Sequence, residues 1–159
     1  TDSHLRGMVF WLMGDLEGSE VNIVFVLILI AILLWMSKIA RSVNLLALHF
    51  QEAAAFGVNV SIVRKSLFIG SALLTACAVS SAGSIGFVGL IIPHVCRMFF
   101  GTDHRLLFPV STLVGGCFLV LADVLARTVA SPHQIPIGVI TALIGVPVFL
   151  FQLYRYRVN

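Results

Sequence analysis

Charge is what this sequence has least of. Of its 159 residues only 11% are charged and 59% are hydrophobic, against roughly 25% charged and 45–50% apolar in an average soluble domain. Mean hydropathy is +1.06. A water-soluble domain is excluded, because the apolar excess sits in long uncharged runs of the length that crosses a bilayer as a helix. Cysteine is scarce too. Cys77, Cys96 and Cys117 lie inside or at the edge of apolar runs without C-x-x-C spacing, which points to small core residues and to neither a disulfide framework nor a zinc site.

Motifs for covalent chemistry are missing as well. No G-x-x-x-x-G-K-[ST] is present, so the chain does not itself cradle ATP phosphates. H-E-x-x-H and G-x-S-x-G are absent, and no cofactor is expected. His4, His49, His94, His104 and His133 include no i, i+4 pair, which argues against a metal site. The one acid within an apolar run is Asp123, four residues before Arg127, so ion-coupled transport has little support. A formal charge of +3 would suggest nucleic acid in a soluble chain. Here the cations cluster at the ends of apolar runs, where they set membrane orientation, and a nucleic-acid partner is rejected. Thr1 stands first, and no basic segment followed by an apolar stretch and a cleavage site is seen; both features suggest a chain that starts mid-protein.

What is present reads as an all-α polytopic membrane bundle in one domain, residues 1–159. Residues 1–20 mix Gly7, Gly14 and Gly18 with Phe10, Trp11 and the acids Asp15, Glu17 and Glu20, an interfacial composition expected outside the cytoplasm. Val21 to Met36 is almost unbroken aliphatic and forms the first expected span, closed by Trp35 and Lys38. Residues 39–65 are the one long polar-containing stretch. Within it Leu45 to Phe56 predicts a short helix outside the membrane, stopped by Gly57.

Ser66 to Cys96 carries no charge, and ~45 Å of helix is too long for ~30 Å of hydrocarbon. Gly83, Gly86 and Gly89 interrupt it, with Pro93 beyond. Turning back at that break puts Lys38, Arg41, Arg64, Lys65, Arg97, Arg105, Arg155 and Arg157 on one side, leaving Arg6 and Arg127 opposite. Going straight through would divide the cations evenly, which the positive-inside bias disfavours. A hinge at Gly83, Gly86, Gly89 and Pro93 is therefore expected, with a bulky residue at Gly86 straining the packing. Leu106 to Ala122 and Pro136 to Tyr154 supply the last two spans. The expectation is four spans, one short glycine-broken helix and a cytoplasmic helix, with Ala72, Ala76, Ser80, Gly115 and Gly116 as small-residue packing stripes.

The stretch from Ser81 to Arg105, SAGSIGFVGLIIPHVCRMFFGTDHR, resembles the signature of the FecCD-type permeases of ABC importers for ferric siderophores, haem and cobalamin. LADVLAR (Leu121 to Arg127), PIGVITALIGVPVFLFQL (Pro136 to Leu153) and RGMVFWLMGDL (Arg6 to Leu16) are similar to further segments of that family, in the same order. The resemblance implies a multi-pass protein of the bacterial cytoplasmic membrane with ten spans per subunit, of which this chain would be the C-terminal half. It also implies a second permease copy in a homodimer, membrane lipid around it, two cytoplasmic ABC ATPase subunits and an extracytoplasmic substrate-binding protein. Leu48, Gln51, Glu52, Ala53, Phe56 and Gly57 fall where such permeases carry the helix that docks on the ATPase. The sequence departs from the usual L-G-E-E-A-A-R-x-L-G there, at His49, Phe50, Gln51 and Ala54. Arg127 matches the arginine presented to an acidic residue of the binding protein. Two other readings are a truncated half-permease serving only as a structural bundle, and a secondary transporter with broken helices, whose cue, a second buried acid, is missing.

Overall fold

In the computed structural model, residues 2–14, 16, 23–48, 53, 55–129 and 135–158 are described. The named elements are helices: α1 (Asp2–Met13), α2 (Ile23–Leu48), α3 (Val60–Ala82), α4 (Val88–Phe100), α5 (His104–Val129) and α6 (Ile137–Val158). Four are long and apolar enough to span a membrane: Ile23–Ala47, Val60–Ala82, His104–Val129 and Ile137–Tyr154. Only 11–17% of the most apolar stretch of each is buried within the chain, so most of their side-chain surface faces lipid or other protein.

The first span runs further than its composition suggested. Lys38 and Arg41 do not end the helix: α2 continues to Leu48, because Leu, Ala and Lys are good helix formers and neither glycine nor proline intervenes. The expected separate helix from Leu45 is thus, at its start, the end of α2. Residues 49–52 and 54 lie outside the described ones, and the segment closes at Gly57, whose φ is +77°, with the Val58 N–H bonded to the Ala53 carbonyl oxygen at 3.1 Å. Asn59 then caps α3 by accepting from the Ile62 N–H at 3.1 Å, an orphan donor that any helix start must satisfy.

α3 lies against α2 with Gly70, buried, facing Trp35 and Met36. The expected stripe Ala72, Ala76 and Ser80 is exposed, and the packed face carries Val63 and Gly70, with Leu74 and Cys77 half-buried. Small residues mark a surface capable of close approach, and the spacing alone does not say which neighbour takes it. Gly115 is buried beside Ile92, whereas Gly116 is exposed with open space around it.

The chain does turn back after α3. The ends of α1 and α3 and the start of α6 meet at one end of the bundle, while Asn44 near the end of α2 bonds to Asp103 and His104, between α4 and α5, at the other. A buried apolar cluster joins α4 and α5, where Ile92, Cys96 and Leu107 are enclosed with Val88, Val110, Val114 and Phe118 around them. Of the three cysteines, Cys96 is the core residue; Cys77 is half-buried and Cys117 exposed.

Candidate functional site

The break between α3 and α4 is built by backbone, not by side chains. Gly83 ends α3 at φ 69° and ψ −165°, a region open essentially to glycine alone. Its N–H returns to the Val79 carbonyl oxygen at 2.9 Å, satisfying a helix-end acceptor. A Cβ at Gly83 would collide with the Trp11 carbonyl oxygen, and one at Gly138 on α6 with that of Met13. Gly14, at φ +82°, sits against Ser84 and Ile85. Ser84 Oγ donates to the Leu12 carbonyl oxygen. Phe87, the one non-glycine with positive φ among the described residues, at +67°, starts α4 and presses its ring base onto Gly145 of α6.

This construction follows from length. α4 has 13 residues, about 20 Å of helix against ~30 Å of hydrocarbon, so the break falls within membrane depth. Irregular backbone there must be buried in protein or line a cavity, since lipid satisfies no polar group. The hinge expectation is corrected in part. Gly83 carries both the strained conformation and the close approach, whereas Gly86 and Gly89 have open space where a Cβ would go and ordinary φ. Pro93 sits inside α4, half-buried, where its ring removes one N–H from the helix. Sequence reading missed Gly14, Phe87, Gly138 and Gly145. The signal for the last two was there: Gly138, Thr141 and Gly145 lie at i, i+3 and i+7 on one face of α6. Thr141 is fully buried and bonds the Gly138 carbonyl oxygen at 3.1 Å.

The opposite end is held by polar side chains. Asn44 Nδ2 donates to Asp103 Oδ1 at 2.6 Å. Asn44 Oδ1 accepts from the His104 N–H at 2.9 Å and lies 2.7 Å from His104 Nδ1. Asp103 also takes the Arg105 N–H at 2.9 Å and so caps α5. That bond, then the Asn44 amide, holds the Asp103 carboxyl below its ordinary range. His104 stacks edge-on with Phe108, centroids 5.6 Å apart.

Of the residues implied in ATPase coupling, Ala53 is fully buried, Phe56 is 71% exposed and Gly57 is exposed. Leu48 ends α2, and Gln51 and Glu52 lie outside the described residues. So do Asp15, residues 17–20 and residues 130–134, in the two segments expected to face outward. Arg127 Nε donates to Asp123 Oδ2 at 2.8 Å, an i, i+4 pair with the arginine side chain 45% exposed. Among the described residues no group of three His, Cys, Asp or Glu could hold a metal.

The FecCD transport family matches residues 1–155. This chain belongs to that family. It is 46% identical over 154 residues to the cobalamin import system permease protein BtuC of Halobacterium salinarum, covering 94% of this chain and 40% of the relative. It is 42% identical over 159 residues to the hemin transport system permease protein HmuU of Yersinia pestis, covering 98% and 47%. A solved metal-chelate type ABC transporter in an inward-facing conformation superposes with a TM-score of 0.88 at 38% identity, covering 98% of this chain and 51% of that one. The chain thus spans about half the length of the FecCD relatives it matches.

Proposed function

We propose that this chain forms the C-terminal half of the membrane permease of an ATP-driven importer whose cargo is cobalamin, haem or an iron chelate. The observation that carries the reading is the family match over residues 1–155 together with the inward-facing fold likeness. The chain does no covalent chemistry; separate cytoplasmic ATPases hydrolyse ATP. Their closure moves the segment from Leu48 to Gly57, and the helices follow in alternating access. The exposed Phe56 beside the turn at Gly57 offers an apolar knob for an ATPase groove. The end carrying Lys38, Arg41, Arg97 and Arg105 faces the cytoplasm, by the positive-inside bias. Arg127 then lies at the outer face, half-exposed although paired with Asp123, and contacts an acidic residue of the binding protein. A rim charge of this kind mainly sets encounter rate and register.

The test is uptake. The permease, two copies with its ATPases in liposomes and a binding protein outside, accumulates cobalamin, haemin or a ferric siderophore only with ATP and a hydrolysis-competent ATPase. Failure with all three cargoes sinks the reading. Arg127→Glu slows docking in a salt-sensitive way; an unchanged docking rate with a less stable bundle assigns Arg127 to the intrahelical pair alone.

A further inference from the structure

Cations gather where α2 and α5 meet at the clasped end. Ser37, Lys38, Arg41 and Arg105 line an open cleft. Lys38 and Arg41 are three residues apart on α2, neighbours at about 5–6 Å between Cβ atoms, and Arg105 faces them from the first turn of α5. The Asn44 bonds to Asp103 and His104 fix the two walls relative to one another. Among the described residues no carboxylate forms an ion pair with any of the three. Asp103, two residues before Arg105, already accepts from Asn44 and from the Arg105 backbone, although its charge still acts on Arg105. Arg97 is close enough to His104 to act on it electrostatically, adding a further positive charge.

What borders this cleft is apolar. Ile30 and Leu34 precede Lys38 on the same face of α2 and are 46% and 61% exposed, and Leu106 beside Arg105 is 48% exposed. Trp35, one turn before Lys38, is exposed as well, in the manner of an aromatic at a headgroup boundary. Cations without an ion-pair partner, carried on two helices that the Asn44 bonds tie together, at the edge of lipid-facing surface match a phosphate with acyl chains attached better than they match an acidic protein, which would meet them from water. We propose that this cleft binds the phosphate of an anionic phospholipid headgroup, with the acyl chains lying along Ile30 and Leu34. Ser37 contributes no donor, since its hydroxyl is bonded to the Leu34 carbonyl oxygen at 2.7 Å; the cations carry recognition. The site is independent of which cargo is imported.

Native mass spectrometry of the detergent-purified permease, incubated with equal phosphatidylglycerol and phosphatidylcholine, reads the retained lipid directly. The wild-type protein retains phosphatidylglycerol preferentially. Lys38→Gln/Arg41→Gln/Arg105→Gln lowers that retention by roughly tenfold, while Arg64→Gln/Lys65→Gln, which removes two cations that do not line the cleft, does not. Equal retention of the two lipids by the wild-type protein overturns the proposal without reference to any variant. So does displacement of phosphatidylglycerol by inorganic phosphate at matched concentration, which would make this a free-anion site. Unchanged lipid retention by the triple variant combined with lost co-purification of the ATPase would assign the cleft to a protein contact and likewise overturn it.

Discussion

Gly83 and Gly101 end their helices in the same way and live in different surroundings. Gly83 has φ 69° and ψ −165°, Gly101 φ 79° and ψ −167°, and each returns its N–H to the carbonyl four residues back, at 2.9 and 3.0 Å. Around Gly83 the backbone of α1 leaves no room for a methyl group; around Gly101 there is nothing within 4 Å. The same backbone solution is thus buried against protein at one end of the bundle and open at the other. Where lipid surrounds the break, polar backbone has to be enclosed, and only glycine lets helices come close enough to do it. At the open end Asn44 and Asp103 do the holding with side chains, because water and headgroups tolerate an open turn.

The pair separates conformational strain from packing. Gly83→Ala incurs both and is expected to cost roughly 2–5 kcal/mol, the sum of a forbidden backbone region and an overpacked contact that backbone alone would have to relieve. Thermal melting of the permease in nanodiscs reads it, and transport falls with it. A loss no larger than that of Gly101→Ala would mean that α1 moves aside freely and that the junction is loosely held.

Gly138→Ala tests packing by itself, since Gly138 lies in ordinary helix and what stands in the way is backbone, the Met13 carbonyl first and the Ser84 carbonyl oxygen beyond it. About 1–3 kcal/mol is expected. Gly101→Ala tests strain by itself and should cost about 1–2 kcal/mol, because alanine enters a region that glycine alone adopts easily. If Gly101→Ala proved as damaging as Gly83→Ala, close approach would contribute nothing and the contrast drawn between the two ends would fail.

The clasp gives a smaller effect with a pH signature. Asn44→Ala removes the acceptor for the His104 N–H and the donor to Asp103, at about 1 kcal/mol for the lost hydrogen bonds. Asp103 is held below its ordinary value, so its contribution is present above the unfolded carboxyl pKa of ~3.9 and is lost as pH falls through the lower, folded value. Melting curves of wild type and Asp103→Asn should therefore differ at neutral pH and converge on acidification. A difference that persisted in acid would remove the charge from the explanation.

How far the sequence alone reaches is clear from the same residues. The turn-back at Gly83 was legible from charge-free length and the side on which cations fall, since both are global constraints imposed by bilayer thickness. The four spans were legible for the same reason. The run of α2 past Lys38 and Arg41 was not, because a cation marks the membrane boundary and says nothing about where helical hydrogen bonding stops. Nor was the orientation of the Ala72, Ala76 and Ser80 stripe, because small residues declare a capacity for close approach without naming the partner. Asn44 was missed for a related reason. A single polar residue within a helix gives no periodic signal, and its partners, Asp103 and His104, lie about 60 residues away.

Gly86 is where sequence and structure part most sharply, and it carries the smallest expected effect. Three glycines at intervals of three suggest a shared hinge, yet Gly86 is exposed, has ordinary φ, and a Cβ there would meet nothing within 4 Å. Its carbonyl oxygen accepts from the Val88 N–H at 2.8 Å, a contact that alanine preserves. Gly86→Ala should therefore change melting by no more than about 0.5 kcal/mol, the range of surface substitutions, with a small gain open to it because alanine restricts the unfolded chain. The measurement discriminates between this chain and its surroundings. Wild-type melting and uptake would place the hinge at Gly83 alone, whereas wild-type melting with lost uptake would show that Gly86 is kept bare for a surface that arrives only during transport.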